Sequence, residues 1–359
     1  MIEVDIKRWK MIIGLSISLF VIRILTFKPE WIERYYSQSI YPIIAGILSK
    51  TSSIFPFSLG ESVLFIVISL TIIKIITIFL KKMKMRSMII SRDLEQKLRI
   101  RHIPSAVLLF VLLFQVVWGL NYSRLPLGVT LNLDVRPRES SELYNVLIWH
   151  IEEANTIRLT LKEDDFKRRY DIWTGYTELP EALQVVSKVK GRGKYLASSL
   201  FFSYAGIAGI YNPFFSEPNV NAMQVDFMLP VVEAHEIAHL QGVAREDEAN
   251  YVAVRASLSH DQPFVNYSGN MLALIHLSNA LYEVDSVLWE EAMLGISELV
   301  EGDLDRNREF WQMYDGWFEE ASNDLNDTYL KMNGQEDGIQ SYGRMVDLLL
   351  ASFSEYKNK

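Results

Sequence analysis

Three long apolar runs near the start of the chain constrain it more than any other feature. Met11–Phe27 is apolar apart from Arg23, Ser62–Leu80 apart from Lys74, and Ile103–Leu120 carries no charge. A hydrocarbon core about 30 Å thick takes about twenty helical residues to cross, and each run approaches that length. Arg23 and Lys74 are costly at mid-membrane unless they snorkel or line a helix interface. Buried core helices are the alternative, but runs so rich in Ile, Leu and Val with so little charge argue against them. The sequence therefore predicts a membrane region over residues 1–121, with transmembrane helices near 11–27, 62–80 and 103–120, and a separate domain over 122–359.

Lysine and arginine set the expected orientation. Lys7, Arg8 and Lys10 precede the first run, and no small-residue cleavage site follows it, so it reads as an uncleaved anchor. The loop Lys81–His102 holds eight basic residues, including Lys81, Lys82, Arg99 and Arg101, which makes it cytoplasmic by the positive-inside rule. The protein is then a multi-pass cell-membrane protein with a cytoplasmic N-terminus and everything after Asn121 extracytoplasmic. Pro42–Phe57, apolar but interrupted by prolines, is expected in the outer interface, anchored by Trp31, Tyr35, Tyr36 and Tyr41.

Charge divides the same way. Residues 1–121 carry 16 basic and 7 acidic side chains, and the remainder 20 basic and 37 acidic, a net of −17. An acidic outer domain does not attract nucleic acid, and membrane flanks account for the basic loop. Cysteine is absent, so there is no disulfide framework and no thiolate metal site.

The outer domain contains His235-Glu236-x-x-His239 within Pro230–Ser257. Residues four apart share a helix face, so both imidazoles can reach one metal ion, and Glu236 can act as general base toward water that the ion activates. Pro230 suits a first helical turn and Gly242 a left-handed cap. A second helix from about Arg245 folds back to supply a third ligand: Glu246 first, Glu248 second, Asp247 third for its shorter reach. The glycine and the acidic helix after it make a chance match a poor explanation.

Glu246-Asp247-Glu248-Ala249-Asn250 resembles the Glu-x-x-Ala-Asp/Asn element of gluzincin peptidases. That resemblance implies Glu246 as zinc ligand and Asn250 as the support of a ligand histidine, although the gap from His239 to Glu246 is shorter than in most gluzincins. A wider resemblance rests on Trp118-Gly119-Leu120-Asn121-Tyr122, Gly209-Ile210-Tyr211-Asn212-Pro213-Phe214, Glu217, Asn221 and the metal block. Together these resemble a family of bacterial membrane proteins, domain of unknown function 3810. It implies an N-terminal membrane region and a zinc-peptidase-like domain, and no particular substrate.

Helices are expected from Arg138 to about Glu163, from Pro180 to about Lys190, over Tyr267–Tyr282, through most of the chain after Ser286, and from Ile339 to about Phe353. The uncharged stretch Tyr195–Phe215 reads as buried strands beside the metal helix, with a fourth span as the alternative. Gly206–Tyr211 is the candidate strand for pairing with extended substrate. Tyr211, Glu217, Asn219 and Asn221 are available to substrate or to the metal's supports, and His276 to an oxyanion. The expected fold is mainly α: three transmembrane helices, then a mostly helical zincin-like metallopeptidase domain with a small β element.

The expected function is a membrane-anchored zinc metallopeptidase acting on peptide or protein substrate, with Zn2+ on His235, His239 and Glu246. The alternative is a non-catalytic membrane sensor or scaffold with a structural metal site. An intramembrane protease is disfavoured, because Glu233, Arg245, Glu246, Asp247 and Glu248 would sit in lipid.

Overall fold

The computed structural model describes residues 2–84, 103–136, 138–333 and 344–357. Most of the basic loop that sets the expected orientation lies outside these residues, as do the first residues of the helix expected from Ile339. The main helices are α1 (Ile2–Leu25), α2 (Tyr41–Ser52), α3 (Leu59–Lys84), α4 (Ile103–Val117), α5 (Ser140–Thr160), α6 (Ser199–Tyr204), α7 (Leu229–Leu240), α8 (Glu246–Leu258), α9 (Pro263–Val284), α10 (Ser286–Met293), α11 (Glu298–Gln312), α12 (Trp317–Met332) and α13 (Met345–Tyr356). Strands β1 (Lys194–Tyr195), β2 (Gly209–Asn212) and β3 (Glu217–Val220) form one small sheet. The chain is mainly helical, as expected.

Among the described residues, one helix is by itself long and apolar enough to cross a bilayer, Leu59–Leu80 within α3. Ile6–Leu25 meets that test only jointly with Pro29–Ser52, across a 101° bend, and α4 is apolar but shorter. The chain thus carries one or two candidate spans by length and composition.

The main core is built on α5, α7, α8 and α9, where Leu147, Ile151, Val231, Ile237, Val252, Tyr267 and Leu274 are buried together. Nine of the twelve α7 residues are buried, so this helix is enclosed rather than amphipathic. Its C-terminus closes as the sequence predicts. Gly242 has φ +83°, Gly242 N–H donates to His239 O (2.8 Å) and Val243 N–H to Ala238 O (3.1 Å), the paired bonds of a Schellman cap.

A second core joins the N-terminal part of the chain to its middle. Ile32, Tyr36, Tyr41, Ala45, Trp118 and Leu120 pack with Val189, Tyr211, Leu240 and Ala244. Tyr36 and Tyr41, expected as interfacial anchors, are therefore buried in this core, Tyr36 donating to Val116 O and Tyr41 reaching the end of α7, while Trp31 and Tyr35 are exposed. Residues 32–40 form a π-helical segment whose buried face is Ile32, Glu33, Tyr36 and Ser37. Glu33 on that face is neutralised by Arg124, with Nε and Nη2 donating at 2.8 and 2.7 Å.

Tyr195–Phe215 is not one helix, so it is no fourth span. It breaks into the end of β1, α6 and β2. The helix expected over Pro180–Lys190 is only a 3₁₀ turn, Glu181–Val186, because the N–H groups of Lys188 and Val189 donate instead to Gln241 Oε1 (2.9 and 2.8 Å). In the sheet β3 is central, parallel to β1 and antiparallel to β2. Strand β2 therefore lies at an edge.

Candidate metal centre

The turn at Gly242 folds α8 back on α7, and its first residue, Glu246, faces the two histidines. One atom from each of His235, His239 and Glu246 lies within 4.8 Å of the others. Each imidazole is held by its other nitrogen. His235 Nδ1 is 2.7 Å from Asn250 Oδ1, and His239 Nδ1 is 2.7 Å from Val243 O. Carbonyl oxygens only accept, so both Nδ1 atoms carry a proton, and in the neutral rings it is Nε2 that offers a lone pair toward Glu246. Those Nε2 atoms lie 3.1 and 3.5 Å from Glu246 Oε2. Two lone pairs and a carboxylate converging this way suit a divalent cation.

The electrostatics agree. Burial alone would lower the pKa of His239, yet the Glu246 carboxylate raises it to about 9. Burial would raise Glu246, yet the facing histidines hold it well below the usual carboxylate range. Positive charge is thus favoured at this point, and a metal ion satisfies it when the histidines are neutral.

Glu236 lies beside the ligands, 3% exposed, and its Oε2 has no hydrogen-bond partner among the described residues. Burial pushes its carboxyl up to about 7, against the histidines and with Glu246. An unpartnered buried carboxylate is costly, and it faces a cleft of about 800 Å³ lined by both histidines, Gly209, Tyr122 and Tyr329. Strand β2 passes so close that a Cβ on Gly209 would collide with the Glu236 carboxylate. Only glycine allows that approach.

The open edge of β2 faces away from β3. Ala208 O accepts from Asn221 N–H (2.9 Å), and the register pairs Ile210 with Asn219 and Asn212 with Glu217. Alternation in an antiparallel ladder then turns the N–H and C=O of Gly209 and Tyr211 outward.

The structure separates the remaining sequence candidates. Tyr211 and His276 line the cleft. Glu248 turns away, its Oε1 accepting from Leu127 N–H (2.6 Å) and Arg245 Nη1 (3.0 Å). Glu217, which the sequence left available to substrate or to the metal's supports, is fully buried and accepts from the Leu59 and Gly60 N–H groups at the start of α3 and from Lys194 Nζ. Asn221 is likewise buried and braces the loop before β2, donating to Ser203 Oγ (3.0 Å) and Ile207 O (3.1 Å). Asn219 donates to Ile210 O (3.2 Å).

Sequence reasoning missed the far wall, where Trp311 and Tyr329 come from α11 and α12 and the Tyr329 hydroxyl is 2.9 Å from that of Tyr122. It also missed Tyr41, whose hydroxyl reaches the Leu240 carbonyl (3.1 Å). The available signal was Glu33, an acid on an otherwise apolar face, which demands a buried partner.

The family described as Protein of unknown function (DUF3810) matches residues 36–350. The chain belongs to this family. Its match begins at Tyr36, inside the second core, and takes in His235, His239 and Glu246, β2 and both walls of the cleft. No curated protein and no solved structure matches the chain.

Proposed function

We propose that this protein is a membrane-anchored zinc metallopeptidase. The observation that carries the reading is the pairing of a three-ligand cluster with an unpartnered, buried Glu236 carboxylate on one cleft. Two imidazoles and one carboxylate suit zinc, whereas magnesium and calcium prefer all-oxygen sets. Three protein ligands beside an open cleft also favour a catalytic over a closed structural site. Bound zinc would supply Lewis acidity and bring the pKa of water toward neutrality.

The chain's own residues divide the remaining work. Glu236 takes the proton from the attacking water and returns it to the departing amine nitrogen. The outward groups of Gly209 and Tyr211 pair with an extended peptide, holding its backbone across the site. Asn250 and the Val243 carbonyl keep the two imidazoles in the ligating tautomer. With α1, α3 and α4 read as three spans and the basic loop as cytoplasmic, the site lies on the outer side of the membrane.

The test is Glu236→Gln in the full-length protein. It should keep one zinc per chain and lose peptide hydrolysis by about 10²–10⁴-fold. Unchanged turnover would remove Glu236 from the chemistry, and an absence of hydrolysis in the unsubstituted zinc-loaded protein would favour the sensor or scaffold reading.

A further inference from the structure

The ends of two apolar helices meet the sheet that carries the site. Helix α3 starts where Glu217 of β3 accepts the Leu59 and Gly60 N–H groups, both at 3.0 Å. Glu61, in the first turn of α3, accepts from Ala197 and Ser198 N–H at 3.0 and 2.7 Å. Exposed Leu200 and Phe201 come two and three residues after Ser198. Helix α4 ends at Val117, and the next residue, Trp118, stands edge-on to His239 with ring centroids 6.0 Å apart. The metal centre is therefore level with the end of an apolar helix.

The β2–β3 turn reaches further down. Phe214 packs on Phe110 and Phe114, with centroids 5.2 and 6.5 Å away. At about 1.5 Å per residue, those rings lie about 12 and about 6 Å back along α4 from Trp118. The turn is thus level with the apolar run, and Asn212 beside it packs against Gly60 of α3. From Asn212 to Gly209 the strand climbs about 10 Å, ending against Glu236. Strand β2, with its open edge, runs from the apolar level to the general base.

Resting on the peptidase reading above, we infer that the substrate class is a juxtamembrane segment: extended polypeptide adjoining a membrane anchor, bound along β2 and cut close to that anchor. A chain leaving the bilayer beside Phe214 reaches Glu236 after only a few extended residues, at about 3.3 Å each. The scissile bond therefore falls within about ten residues of the anchor. A soluble loop gains nothing from a track that starts at the apolar level.

The experiment uses full-length, zinc-loaded protein in lipid nanodiscs. One cleavable sequence is joined to a single transmembrane helix through spacers of about 5, 10 and 40 residues, with the free peptide and an unfolded soluble protein beside them. The expected cuts stay at a constant distance from the anchor whatever the spacer. Tethering alone would instead move the cuts with the sequence and lower the rate only gradually as the spacer lengthens. Phe214→Asp, outside the cleft, should remove the distance rule while zinc content is unchanged.

A second readout needs no turnover. The chain has no cysteine, so under an added disulfide oxidant such as oxidised glutathione, which takes up the two electrons and the thiol protons, Ile210→Cys in a Glu236→Gln background should form a disulfide with an anchored peptide whose single cysteine lies near the anchor, and not with one far along the spacer. Cuts that follow the sequence, or equal digestion of the free peptide and the soluble protein, overturn the juxtamembrane class and leave the peptidase reading standing. Trapping without hydrolysis of any substrate supports the juxtamembrane site and overturns the peptidase reading. Neither trapping nor hydrolysis overturns both.

Discussion

Tyr41 places its hydroxyl 3.3 Å from the carbonyl oxygen of His239, a residue 198 positions later in the chain. The same oxygen lies 3.1 Å from Leu240 O and 3.1 Å from the Tyr211 hydroxyl. A phenol has one proton to donate, so Tyr41 gives it to the last turn of α7 and accepts from Tyr211. One side chain from the N-terminal segment thereby ties α7 to the cleft strand. Tyr41→Phe leaves a carbonyl and the Tyr211 hydroxyl short of a partner, at about 1–3 kcal/mol. We expect a lower thermal midpoint and a zinc affinity several-fold weaker by chelator competition. Unchanged affinity would mean that the tie does not position His239.

The second core makes the outer part of the chain depend on the first 121 residues. Arg124 is 3% exposed and held by Glu33, with Nη1 also donating to Gly242 O (3.0 Å). A fragment starting at Tyr122 keeps the guanidinium and loses the carboxylate. Stranding a buried charge costs about 3–5 kcal/mol, a large share of a domain's stability. The fragment should fail to fold and bind no zinc, and residues 1–121 supplied as a second chain should rescue it. A cooperative melt of the lone fragment with one zinc bound would contradict this.

Metal stoichiometry separates the acidic residues of α8. His239→Ala and Glu246→Ala should lose zinc, and Asn250→Ala should bind it about 10–100-fold more weakly because His235 loses its hold. Glu248→Ala should keep the metal and melt at lower temperature, since it unpairs the Leu127 N–H and Arg245. Zinc lost from folded Glu248→Ala would move the third ligand there.

The start of α3 rests on a buried ion pair. Lys194 Nζ is 2.5 Å from Glu217 Oε1, and the carboxylate is wholly buried. Lys194→Met leaves Glu217 uncompensated except by hydrogen bonds, so the loss should approach about 3 kcal/mol. Lys194→Met with Glu217→Gln should recover part of it, because the buried charge is gone. Thermal unfolding in detergent reads both.

His150, buried in α5, has Nδ1 2.8 Å from Asn270 Oδ1 and Nε2 3.4 Å from the Tyr356 hydroxyl. Burial lowers its pKa to about 4, against the Asn270 bond. The unfolded chain protonates near pH 6.5 and the folded one only near 4, so the unfolded state binds more protons between them. Stability should therefore fall as pH drops from about 6.5 to about 4, by up to about 3 kcal/mol, and then level off. His150→Gln should make that slope shallower in urea titrations of the metal-stripped protein, since burial also lowers His276 to about 4 and leaves its share in the same window. An unaltered slope would assign it to other groups.

What the sequence determined by itself is local. His235 and His239 share a face because helical periodicity allows nothing else, Gly242 ends α7 because only glycine takes φ +83° without strain, and Glu246 follows closely enough for the turn to return it to the histidines. What only the tertiary structure decided are pairings between distant segments. Glu217 and Asn221 looked available to substrate until β3 buried them against α3 and the loop before β2. Tyr36 and Tyr41 carry the composition of membrane anchors, yet both are buried in the second core, where Tyr41 reaches α7 and Glu33 finds Arg124. Local spacing fixes which side chains share a helix face. It does not fix which remote helix comes to cover that face, because that is set by burying complementary surfaces far apart in the chain, and such complementarity leaves no periodic mark on either segment.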